Sequence, residues 1–94
     1  MKYTEFSDMI IERICEMEKI PANHSLIRES YDHWSIPQLL KHYMATSWFL
    51  QTSDKLDVLV RKVWNQIKTT GSFDLSVIQE NETAIEEVNY EKRS

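Results

Sequence analysis

The chain has 94 residues, 15 acidic and 11 basic side chains, and a formal charge of −4. This length supports one hydrophobic core and excludes a second. A single cysteine, Cys15, excludes an internal disulfide and a thiolate metal cluster, and no uninterrupted apolar run approaches the roughly 18 residues a membrane span needs.

Residues 1–30 lack an apolar run with a basic lead and a small-residue cleavage site, so the expected location is cytoplasmic. A domain this small hides only about 60 to 65 per cent of its unfolded surface, which makes a homodimer or another stabilising partner a reasonable expectation. Gly71, Pro21 and Pro37 are the only glycine and prolines. Too few turn residues remain for an all-β fold, and the expected class is all-α: a bundle of four to five helices with a less stable acidic C-terminal arm.

In chain order, Tyr3, Phe6, Ile10, Ile14 and Met17 recur at helical spacing and predict a first helix over residues 3–20, with Glu5, Asp8, Glu12 and Glu16 on its outer side. Pro21 disfavours helical geometry at Ile20, and Asn23 or Ser25 can cap the next helix. That short helix, over Leu26–His33, would turn Ile27, Tyr31 and Trp34 inward. In "WSIPQLL", Ser35 and Gln38 form a capping box, with Trp34 and Leu39 at the staple positions, so a third helix starts at Ile36. Its stripe is Ile36, Leu39, Leu40 and Tyr43, and in phase it reaches Ser47 and Leu50.

Extrapolated backwards, the next stripe, Leu56, Leu59, Val60, Val63 and Ile67, instead collects Ala45, Trp48 and Phe49 and omits Leu50. The two phases collide, which predicts a break either at 45–47 or, preferably, at 51–54, where Thr52, Ser53 and Asp54 are good caps. Gly71 suits a left-handed helix end after Lys68. Beyond it, Phe73, Leu75 and Val77 alternate as in a strand, but Ser76 and Gln79 make a second capping box, and Val77, Ile78, Ala84, Ile85 and Val88 line one side of a helix, with polar Asn81 within that stripe. Residues 1–71 therefore read as a helical core domain and 72–94 as an acidic arm docked on it.

Charge divides unevenly: −3 over residues 1–35, +3 over 36–71 and −4 over 72–94. The basic middle, with Lys41, Lys55, Arg61, Lys62 and Lys68, either neutralises the acidic ends within the bundle or offers a surface for an acidic ligand. A corner near Met44–Ser47 after a short capped helix resembles a helix-turn-helix DNA reader in outline only. No glycine sits in that turn, bulky Leu40 stands where a small residue is usual, Trp, Phe and Leu open the recognition helix, and the net charge opposes phosphate binding.

Catalytic and metal chemistry find no frame. His24, His33 and His42 fall on separate elements without ligand spacing, Glu29 and His33 make only a helix-surface pair, and Cys15 lies among glutamates that oppose a thiolate. There is no glycine-rich phosphate loop and no nucleophile elbow. No cofactor or metal is expected, and the chain reads as a non-enzyme. The acidic outer face of the first helix opposes binding to anionic membranes.

Trp48 and Phe49 are then either core, beside Trp64, or a contact surface. The expected function is that of a small protein-binding regulator, adaptor or inhibitor. In that reading Trp48 and Phe49 anchor a basic protein partner steered by Glu5, Asp8, Glu12 and Glu16 and by Glu82, Glu86 and Glu87.

Overall fold

A computed structural model describes residues 3–20 and 25–93, with side chains placed for 4–20, 26 and 29–87. Six helices follow one another: α1 (Tyr3–Met17), α2 (Ser25–Asp32), α3 (Ile36–Ser47), α4 (Asp54–Thr70), α5 (Ser76–Glu80) and α6 (Glu82–Arg93). The fold is all-α, and no strand occurs among the described residues. The expected caps Asn23 and Ser25 and the inward positions Ile27 and Val88 fall outside the described residues or side chains.

The molecule is a slab 18 Å thick, two helix layers deep. α3 is its centre, flanked by α1 on one side and α4 on the other, while α5 and α6 pack on α4. One apolar cluster runs through the slab and includes Phe6, Ile10 and Ile14 of α1, Leu40 and Met44 of α3, and Leu56, Val63 and Ile67 of α4. Val77, Ile78 and Ile85 are buried in the same cluster, so the acidic arm shares the core of the rest.

Helix ends explain most departures from the pattern. α1 stops at Met17, three residues before the expected end, in a Schellman motif: Ile20 donates to the Cys15 carbonyl at 2.9 Å and Lys19 to the Glu16 carbonyl at 3.2 Å. Lys19 takes the left-handed conformation, φ 58°, that this reversal requires. The winding of α1 therefore ends by backbone geometry before Pro21 can act. Trp34, expected inward, is 38% exposed, because α2 ends at Asp32 and the turn swings it to the rim.

The capping box is present: Ser35 N–H donates to Gln38 Oε1 at 2.9 Å and Gln38 N–H to Ser35 Oγ at 3.4 Å. The break falls at the later of the two expected places. Ser53 caps α4, its Oγ accepting from Leu56 N–H at 3.2 Å, so the α4 stripe never extends back to Ala45. Leu50, which that extrapolation omitted, is buried, and Phe49, which it collected, is exposed. Gly71 ends α4 in the left-handed conformation, φ 72°, after Lys68 in the last turn.

Two expectations about the arm need correction. Ser76 is not a capping residue; the Asp74 carboxylate takes that part, accepting from the Ser76 N–H at 2.8 Å and from its hydroxyl. Those bonds hold the Asp74 carboxyl below its ordinary range. The expected continuous helix is also split, giving six helices among the described residues where four to five were expected. Asn81 Nδ2 donates to the Val77 carbonyl at 2.8 Å, the bond a backbone N–H would make in an unbroken helix, while its own N–H turns to Ile78 at 3.0 Å.

Candidate functional site

Leu50 sets the geometry of the corner between α3 and α4. Its N–H donates back to the Ala45 carbonyl at 2.9 Å and its side chain is buried beneath the turn. Closing that bond requires a left-handed residue at position 49, and Phe49 supplies it with φ 55°. A Cβ there costs about 1 kcal/mol that glycine would avoid. The same turn points the Phe49 ring outward, 83% exposed, more than Leu26, Trp34 and Val58, the other exposed large apolar residues among those described. Core burial does not account for it.

Trp48, the C-terminal cap of α3, is half-buried and meets Tyr43 edge to face, with ring centroids 6.0 Å apart. It walls a cleft of about 430 Å³ between α1, the end of α3 and the α5–α6 arm, which Arg13, Tyr43, Leu75, Ile78 and Glu82 also line. The Trp64 indole is half-buried on α4. That indole packs at the far end of α4 against Phe73, which in turn meets Phe6, at 6.4 and 6.1 Å.

The acidic row is as continuous as its spacing implies: Glu5, Asp8, Glu12 and Glu16 are all exposed on one side of α1. Arg13 lies at the edge of this row and faces the Trp48 cleft. Glu82 and Glu86 are exposed on α6, with Glu82 in the same cleft. Glu87 points elsewhere, into a groove between α4 and α6 that contains Lys55, Val58 and Lys62.

The basic residues do not form one patch. Lys41 is bound to Asp57 across α3 and α4 at 2.6 Å. At about 100° per residue, Lys55 and Lys62 fall in one row of α4 and Arg61 and Lys68 in another, with Val58, Asn65 and Thr69 between them. Lys68 lies over the Trp64 ring, 5.4 Å from its centroid. The chain reverses at residues 48–53, after the position the helix-turn-helix outline requires, because α3 continues unbroken through Met44–Ser47. That helix is wedged between α1 and α4, with every residue from Leu39 to Trp48 at least partly buried.

One polar cluster escaped sequence reasoning. Tyr31 of α2 donates its hydroxyl to Glu18 Oε2 at 3.0 Å, and the other oxygen of Glu18 pairs with His42 Nε2 of α3. Trp34 stands edge-on to both rings, at 5.0 and 5.6 Å. Burial, together with the bond to Glu18, pushes the Tyr31 phenol up to about 12. Residues 13 and 24 positions apart carry no local spacing signal, so only the packing of three helices reveals this tie. His33, expected as a helix-surface partner of Glu29, lies beyond the end of α2.

Among the described residues no group of three or more His, Cys, Asp or Glu could hold a metal ion, and no helix is long and apolar enough to cross a membrane. No family model, curated protein or solved structure matches this chain.

Proposed function

We propose that this protein is a non-enzymatic, protein-binding regulator, adaptor or inhibitor whose contact surface centres on the α3–α4 corner. The observation that carries the reading is Phe49: a bulky apolar ring held in a left-handed conformation and 83% exposed. Neither burial nor backbone preference favours phenylalanine there, and both costs are offset if the ring is covered by a partner. Trp48, the preceding residue, walls a cleft, so a partner that covers Phe49 and reaches that cleft has an aromatic wall to pack against. Aromatic anchors beside a pocket carry most of the energy of small interfaces because they bury large areas at little cost in side-chain entropy.

The test is parallel affinity capture from the cells that express the protein, using the wild type and a Trp48→Ala/Phe49→Ala double variant checked for unchanged helicity. A partner held by the wild type should lose at least about 1 kcal/mol of binding to the variant. A partner held equally by both removes the anchor role.

A further inference from the structure

Val58 is the one apolar residue among the exposed positions of α4, whose other apolar aliphatic side chains, Leu56, Leu59, Val60, Val63 and Ile67, are buried. It is 65% exposed and stands in a groove of about 400 Å³ where α6 packs on α4. Leu59 and Ala84 line the groove with it, and the exposed wall is mainly apolar. The two banks differ in charge. α4 carries Lys55 and Lys62 against Asp54 at its first turn, and α6 carries Glu87. The open groove keeps Lys62 and Glu87 apart, and neither makes an ion pair among the described residues. In the cleft on the outer face of α3, by contrast, Lys41 and His42 are already bound to Asp57 and Glu18.

We infer that the α4–α6 face is the interface of a homodimer, in which a second copy of this chain covers the groove. A two-fold axis running along the groove lays α4 of each copy over α6 of the other, so a single patch meets itself. That axis preserves the level of each residue along the groove. Lys62 of one copy therefore meets Glu87 of its partner, twice over, and the two Val58 side chains close over Leu59 and Ala84. The net charge of −4 opposes self-association elsewhere on the surface, whereas here the axis sets a cationic bank against an anionic one. The face is two helices wide and no longer than α4, about 20 by 25 Å, which bounds the area buried in the pair at about 1,000 Å², the scale of weak, transient association. The dimer therefore forms at micromolar and not nanomolar concentration. It does not rest on the reading of the α3–α4 corner, since Phe49 does not line this groove.

The test is light scattering and ¹⁵N NMR of the full chain over a dilution series from about 5 to about 500 μM. The mass should rise from 11.2 kDa towards twice that value, and the amide signals of Val58, Lys62, Ala84 and Glu87 should move with concentration. Val58→Gln, at an exposed position and checked for unchanged helicity, should weaken the dimer at least about tenfold, because a valine is lost from each side of the contact. Lys62→Glu and Glu87→Lys should each weaken it by about as much, since each alone sets like charges against one another twice. Mixed in equal amounts, the two charge variants should associate as tightly as the wild type, because every contact across the axis is then again lysine to glutamate.

The inference is overturned if the mass stays at that of one chain throughout the series, if the moving signals lie outside α4 and α6, or if Val58→Gln dimerises as the wild type does. It is equally overturned if the mixed charge variants associate no better than either alone. A different protein that occupies the groove of a monomer, and is lost with Val58→Gln, removes the second copy as its occupant. The reading of the α3–α4 corner fails separately. Trp48→Ala/Phe49→Ala should leave the dimer intact, and a dimer dissolved by that double variant would move the interface to the corner and overturn the groove assignment.

Discussion

The two corners that flank α4 solve the same problem with opposite residues. Both leave a helix through a left-handed position, at Phe49 before α4 and at Gly71 after it. At Gly71 the residue has no Cβ to strain, and the next aromatic, Phe73, turns inward between Phe6 and Trp64. At Phe49 the strained position carries the aromatic itself, and the ring faces solvent. Folding requires the left-handed turn in both places, since Leu50 must reach the core and α5 must return to α4. It does not require phenylalanine. What a corner needs for stability and what it exposes to solvent are thus separable here, residue by residue.

The largest test of this contrast lies in the aromatic chain beneath the Gly71 corner. Phe6→Ala, which removes a fully buried ring packed on Phe73, should cost about 3–5 kcal/mol in urea unfolding, a large share of a small domain's stability. A loss below 1 kcal/mol would mean that this corner is not held as described.

Next come two substitutions of opposite sign. Gly71→Ala has open space around the new Cβ, so its cost is conformational alone and should be about 1 kcal/mol of destabilisation. Phe49→Gly should relieve strain and raise stability by about 0.5–1 kcal/mol. Equal signs for the two in thermal or urea melts would erase the comparison.

The smallest effect comes from the third left-handed position, Lys19, where the neighbouring Glu18 is tied to Tyr31 and His42. The Tyr31 phenol is raised from 10.0 to about 12, so its contribution is fully present below pH 10 and is lost as pH rises from there towards 12. Tyr31→Phe should show a smaller alkaline decline in unfolding free energy than the wild type; parallel declines would show that this bond does not hold the α1 end.

Much of this architecture was legible in local spacing. The Ser35–Gln38 capping box, the buried stripe of α4, the Ser53 break and the Gly71 terminus each depend on residues within a few positions of one another. Features set by long-range packing were not. Trp34 turns out because α2 stops one residue early, and Asn81 breaks its helix because Gln66 Oε1, on another helix, accepts from its amide at 3.1 Å. Of the candidate site, the phase conflict around Ala45–Thr52 correctly marked Trp48 and Phe49 as unusual, but it assigned Phe49 to the wrong side, since helical periodicity says nothing once the backbone leaves the helix. The acidic row of α1 was readable in full. The cleft beside Trp48 was not, because its walls come from four helices.

Asn81 has a consequence for how the chain finds its native pairing. Val77, Ile78 and Ile85 are greasy side chains of similar bulk, and greasy contacts alone would let the last two helices slide along α4 to a neighbouring rung at little cost. A lone amide, 8% exposed and bonded both to Gln66 of α4 and to the Val77 carbonyl of its own arm, favours the observed rung, since a shift would break its bond to α4. It acts as a key cut into an otherwise featureless seam, and it keeps Ile78 and Glu82 in place beside Trp48.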